Sequence, residues 1–185
     1  VSSVRILGVD PGSQCTGYGC IDTSGNRHSV VACGALTAPT GIPFPEKLLT
    51  IHRGLSALLV RHQPSVVAIE NLFYARNARS ALILGHLRGV LMLAAAEAGI
   101  AISEYSPTEV KLAVVGYGRA EKRQVQQMVT LILGMDTPPS PLDVSDALAV
   151  AVCHAHSIGP TQGLPDGSGR SVRNWRRYVP RERVK

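Results

Sequence analysis

Aromatic residues are scarce in this chain. Two Phe, five Tyr and one Trp make up 4% of 185 residues, so aromatics standing together outside an apolar run call for a reason. Charge is thin as well, at 17% Asp, Glu, Lys and Arg. No uninterrupted apolar run reaches the roughly 18 residues of a membrane span, which points away from a membrane role. The four cysteines, Cys15, Cys20, Cys33 and Cys153, show no CxxC spacing. That excludes a zinc ribbon and argues against a disulfide framework; small buried thiols in a reducing, cytoplasmic setting are expected instead. No basic-then-apolar leader opens the sequence, so no signal peptide is expected. Internal repeats are lacking, and no Ser or Cys stands with a paired base for nucleophilic catalysis.

What is present is a 45% hydrophobic chain of a size that suits one well-packed domain. The net charge of +6 is unevenly spread. Residues 1–156 hold twelve Lys/Arg against eleven Asp/Glu, and residues 157–185 hold seven against two. The expected division is a folded domain over 1–157 and a mobile basic tail over 158–185. The tail suits a phosphate-rich partner, or simply solubility.

Residues 4–10, 16–22 and 29–36 read as an antiparallel meander, with Ser24-Gly25-Asn26 turning between the second and third strands. Pro43 and Pro45 introduce a helix carrying Leu48, Leu49, Ile51, Leu55, Leu58 and Leu59 at helical spacing. A short buried strand follows at 65–70, in an order that demands parallel pairing with an opening strand. A long helix spans 77–98, with Ala78, Leu82, Gly85, Gly89, Met92 and Ala96 along it. Core packing against the sheet accounts for most of that stripe, and close approach of another subunit is the alternative. A strand at 100–105, a helix opened by the Ser106/Glu109 capping box, a helix over 119–134 and a last helix over 141–156 complete the domain.

The last helix is the most informative. Asp143 and Asp146 lie three residues apart on one helix face, with Cβ atoms roughly 5–6 Å apart. The residues after them, Ala147 to Val152, carry no charge, so the helix is expected to be buried. Asp10 and Glu70 end two apolar strand segments, at the sheet edge where open α/β folds bind ligands. Three of the acids have a structural alternative: an Asx-turn for Asp10, an arginine partner for Glu70, and a cap with Ser140 for Asp143. Four carboxylates converging without matching cations call for a metal. Oxygen ligands favour Mg²⁺ or Mn²⁺, and two such ions about 3.5–4 Å apart serve in-line phosphodiester hydrolysis. Lys111 and Lys122 are the candidate cations to meet a polyanion, and Arg76 and Arg79 follow Glu70 closely; solvated surface charge is the alternative for each. Phe73 and Tyr74 follow Glu70 in a loop, where an aromatic can stack on an unpaired base or fold back on the core. His154 and His156 are expected to be structural or tail-facing rather than ligands.

Taken together, Gly-Val-Asp10-Pro-Gly-Ser with Thr-Gly-Tyr-Gly, Ala-Ile-Glu70-Asn-Leu-Phe73, Asn77-Ala-x-Ser-Ala-Leu, Glu109-Val-Lys111, Ala120-Glu-Lys122-x-Gln-Val and Asp143-x-x-Asp146-Ala-Leu-Ala resemble the RuvC family of Holliday-junction resolvases. The likeness runs in order over about residues 5–156. It implies an α/β, RNase H-like fold with a five-stranded mixed sheet flanked by helices. It also implies a homodimer that nicks symmetric strands of four-way junction DNA, leaving 5′-phosphates. By the same likeness Asp10, Glu70, Asp143 and Asp146 hold Mg²⁺, two ions per site, with Mn²⁺ as a substitute. Phe73 then contacts the junction, Lys111 and Lys122 are functional lysines, and RuvA and RuvB are partners. Other readings are an RNase H-like nuclease of the YqgF type, a junction-binding module without catalysis, and an actin-like ATPase, whose phosphate hairpin the first strand resembles.

Overall fold

Strand residues alternate between two apolar cores, and this alternation sets the architecture. The computed structural model describes residues 3–12, 14–71, 77–158 and 177–179. Strand β1 (Val4–Pro11) sends Ile6 to one side and Leu7 and Val9 to the other; β4 (Val66–Glu70) sends Val66 and Ala68 to the first side and Val67 and Ile69 to the second. The first core is closed by α3 (Pro107–Val115), α4 (Lys122–Ile132) and α5 (Leu142–Ser157). The second is closed by α1 (Phe44–His62) and α2 (Ala78–Glu97). The result is a sheet between two helical layers, the arrangement that buries both faces of a mixed sheet.

The meander forms as the turn residues dictate: β1, β2 (Cys15–Ser24) and β3 (Arg27–Thr37) pair antiparallel. Strand β4 then pairs parallel with β1, and β5 (Ala101–Tyr105) parallel with β4. These are the five expected strands. A sixth, β6 (Arg177–Tyr178), adds antiparallel to β5 at Ser103 and Ile102, giving the order β3-β2-β1-β4-β5-β6. Part of the segment expected as a free tail is thus attached to the sheet edge. Residues 159–176 and 180–185 lie outside the described residues.

Helix α5 is buried along most of its length, from Val144 to Ala155 with Asp146 alone half-buried. It lies directly on β1 and β2 because glycines beneath it leave room. A Cβ on Gly8 would stand 2.0 Å from the Ala147 carbonyl oxygen, and one on Gly17 1.9 Å from that of Asp143. Glycine is the residue that permits so close a backbone approach.

Helix α2 differs from the expectation for its stripe. Leu87, Leu91, Ala94 and Ala95 face the core, whereas Ala78, Leu82, Gly85 and Gly89 face outward. The stripe of small residues is therefore not the core face. A helix that is apolar on all sides offers no pattern to tell which side the sheet takes. By length and composition α2 could also cross a membrane, which run length alone had not suggested.

Candidate active site

The pleat delivers the first two acids. Asp10 follows Gly8 by two residues on β1, and Glu70 follows Ala68 by two on β4, so both side chains leave the sheet towards α5. Val9 and Ile69 are register partners, which puts Asp10 and Glu70 side by side one residue further on. Asp143 and Asp146 arrive from the first turns of α5, lowered onto the same sheet end by the glycine contacts above.

The four carboxylates feel one another. Burial, then the charges of Glu70, Asp146 and Asp143, push Asp10 well above the usual carboxylate range, with Lys122 opposing. Burial and Asp146 raise Glu70 too, partly offset by a hydrogen bond with the Asp10 carboxyl and by Lys122 and Lys111. Buried acids that hold protons against the solvent mark sites built for a compensating charge.

Two of the acids have partners from outside the quartet. Lys122 Nζ donates to Asp146 Oδ2 in an ion pair whose carboxylate is mostly buried. The Cys15 thiol donates to Asp143 Oδ2 at 3.1 Å, and that contact together with burial pushes the thiol up to about 11. Gly12 abuts the other oxygen: a Cβ there would stand 3.1 Å from Asp143 Oδ1. The β1–β2 turn therefore brackets the Asp143 carboxylate. The cap expected from Ser140 is not the one used; α5 is capped at Pro141 without a side-chain hydrogen bond.

Lys111 and Lys122 enter the same cleft from the first turns of α3 and α4. Together with Glu70, Asp146, Pro107, Val110 and Val125 they line a pocket of ≈ 190 Å³. The capping box of α3 forms as read, with Glu109 Oε2 accepting from the Ser106 amide at 2.7 Å. Helix α4 begins at Lys122 rather than at residue 119, behind the cap Glu121. Phe73, Tyr74 and Arg76 lie outside the described residues. Arg79 is exposed in the first turn of α2. His154 bonds the Tyr105 hydroxyl at 2.7 Å and His156 the Ala113 carbonyl oxygen at 3.1 Å, so both are structural, as expected.

Sequence reasoning missed Cys15, which was read as a small buried hydrophobe and instead touches an acid. Its signal was the alternation of β2: it stands two residues before Gly17, the register partner of Asp10, and so on the same face as the acids. It also missed Lys47 on α1, whose charge reaches Cys15.

The donor set is all oxygen from four carboxylates, the kind that Mg²⁺ and Mn²⁺ prefer. Two of the four resist ionisation, as residues that await a cation do. Among the described residues no three His, Cys, Asp or Glu side chains already stand together as a ligand set. A metal would therefore draw the acids in from their present partners. The residues fit a divalent ion on these terms.

A mixed sheet of this order, with acids from its two central parallel strands and from a helix packed across them, defines an RNase H-like nuclease fold. The family model for crossover junction endodeoxyribonuclease RuvC matches residues 6–154. A crossover junction endodeoxyribonuclease RuvC of Chloroflexus aggregans is 50% identical over 159 residues, covering 86% of this chain and 97% of that protein. A structure of T. thermophilus RuvC in complex with Holliday junction substrate superposes with a TM-score of 0.79 at 33% identity, over 82% of this chain and 93% of that one. The yeast mitochondrial Holliday junction resolvase Ydc2, at 15% identity and a TM-score of 0.60 over 82% of this chain and 78% of its own, shares the fold. The chain belongs to the RuvC family.

Proposed function

We propose that this protein resolves four-way DNA junctions as a structure-specific endonuclease, nicking two strands symmetrically in homologous recombination and repair. The observation that carries this reading is the gathering of Asp10, Glu70, Asp143 and Asp146 at one sheet end beside two lysines, in a chain of the RuvC family. A pure binding module would gain nothing by aiming four carboxylates at phosphate.

In this reading the four acids hold divalent metal, Mg²⁺ or Mn²⁺, two ions per site. Bound there, the metal supplies an acidified water and stabilisation of the departing oxygen. Asp10 and Glu70 anchor the site from rigid strands, and the α5 acids complete it. Lys111 and Lys122 offset charge on the scissile phosphate from the cleft wall. In-line attack on phosphorus breaks the bond to the 3′ oxygen, leaving a 5′-phosphate and a 3′-hydroxyl that a ligase can seal. Phe73 meets the opened bases at the crossover, where stacking is worth about 1–3 kcal/mol per base, and Tyr74 and Arg76 are further DNA contacts. Symmetric nicking needs two sites, hence a homodimer. The outward face of α2 supports one, because Leu82 is 65% and Leu93 53% exposed there, beside Gly85 and Gly89 with open space above them. RuvA and RuvB are the expected partners in the cytoplasm.

The test is incubation with a labelled synthetic four-way junction in Mg²⁺ or Mn²⁺, beside duplex, RNA–DNA hybrid and EDTA controls. Paired, ligatable nicks in the junction alone are expected. Asp146→Asn should bind the junction and leave it uncut. Cutting of hybrid instead would place the chain in another branch of RNase H-like nucleases, and normal cutting by Asp146→Asn would remove the metal assignment.

A further inference from the structure

Lys122 stands where two demands meet. Its ammonium rests on Asp146 Oδ2, one of the four acids, and its side chain also lines the cleft shared with Lys111 and Glu70. Among the described residues it is the one cation in an ion pair with any of the four acids, and Lys111 makes no ion pair at all. The ammonium has three N–H donors and could touch a carboxylate and a phosphate together, but a divalent ion on Asp146 would repel it from that carboxylate and leave the phosphate as its counter-charge. A divalent ion and Lys122 would thus be rival counter-charges for the one Asp146 carboxylate.

We propose that Lys122 is an exchangeable counter-ion: it neutralises Asp146 until a divalent metal displaces it, and the displaced ammonium then engages the DNA phosphate in the adjoining cleft. This rests on the reading of the four acids as a metal site. The exchange couples two binding events that carbon geometry alone would leave independent. Metal releases a phosphate ligand, and DNA, by taking that ligand, vacates a metal ligand. Such coupling is reciprocal by thermodynamic necessity. Lys111 faces the same cleft without an ion pair and acts on Glu70 through its charge alone, so its contribution to DNA binding should respond to metal less than that of Lys122, which makes it the comparison.

The experiment uses the full chain. Free Mn²⁺ is followed by electron paramagnetic resonance without DNA for wild type, Lys122→Met, Lys122→Gln and Lys111→Met, with thermal melts to show that each variant is folded. Loss of the competing ammonium should tighten Mn²⁺ binding roughly three- to tenfold in both Lys122 variants, and less in Lys111→Met. Junction affinity is then read by fluorescence anisotropy in EDTA and in Ca²⁺. The loss caused by Lys122→Met should be severalfold larger in Ca²⁺ than in EDTA, and that caused by Lys111→Met should change much less between the two. Unchanged or weaker Mn²⁺ binding by the Lys122 variants, or a DNA penalty indifferent to Ca²⁺, overturns the exchange while leaving the metal site intact. A wild type that binds no Mn²⁺ overturns the metal site, and the exchange falls with it.

Discussion

Helices α2 and α5 are alike on paper and opposite in place. Both are long and mostly apolar, and both pack against the same sheet from its two sides. Helix α5 is enclosed along nearly its whole length, whereas α2 buries one narrow face and leaves Leu82 and Leu93 in solvent. The difference lies in where the glycines are. Under α5 they belong to the strands, at Gly8, Gly17 and Gly19, and the helix backbone sinks onto the sheet. On α2 they belong to the helix itself, at Gly85 and Gly89, and face outward over nothing within 4 Å. Closeness in the first case is used within the chain to bring acids to the strand ends. In the second it is offered to something outside the described fold.

The contrast can be broken most severely at Gly17. Gly17→Val should push α5 off β2, costing about 3 kcal/mol or more, since side-chain atoms would meet the helix backbone with no rotamer to escape. Denaturant unfolding checks this, and junction cleavage should fall with it as Asp143 is displaced. A charge on the other helix comes next. Leu82→Glu should leave the chain folded and, on the proposed dimer face of α2, weaken self-association roughly tenfold or more; sedimentation at graded concentration reads it.

The acids themselves give a pH-dependent effect. The folded-state pKa of Asp10 is raised, so the folded chain binds more protons than the unfolded one between the ordinary Asp value and the raised one. Stability must fall as pH rises through that window. Asp10→Asn should therefore raise the melting temperature in EDTA at neutral pH, with the gain shrinking towards about pH 4, below which both forms are neutral. The smallest effect sharpens the comparison most. Gly89→Ala should stabilise the monomer by about 0.5–1 kcal/mol on helix propensity alone, opposite in sign to any substitution at Gly17. If the same variant weakens self-association, the outward glycines are contact residues between copies.

The acids were legible because each carries its own placement rule. A carboxylate ending an apolar strand lies at the sheet edge, and two carboxylates three apart share a helix face, so Asp10, Glu70, Asp143 and Asp146 could be brought together from spacing. The strands and helices followed from turn residues and periodicity, to within a few residues at their ends. The packing distance between layers was not legible. Periodicity says which face of β2 carries Gly17 and Cys15, but not that α5 comes near enough for the Cys15 thiol to reach Asp143. The outward stripe of α2 failed for a related reason, since apolar residues surround that helix and only the sheet decides which side is inside. The pairing of Arg177–Tyr178 with β5 rests on backbone hydrogen bonds, to which a Gly- and Arg-rich segment gives no pattern.

The order of the acids along the chain has a consequence for biosynthesis. Asp10 and Glu70 leave the ribosome early, but Asp143 and Asp146 belong to the last long helix, and α5 must then dock onto three glycines laid down more than a hundred residues before. A growing or broken chain that stops short of α5 carries only half the carboxylates and none of their final geometry. On the proposed four-acid site, competence to cut would arise only as α5 docks and the fold closes.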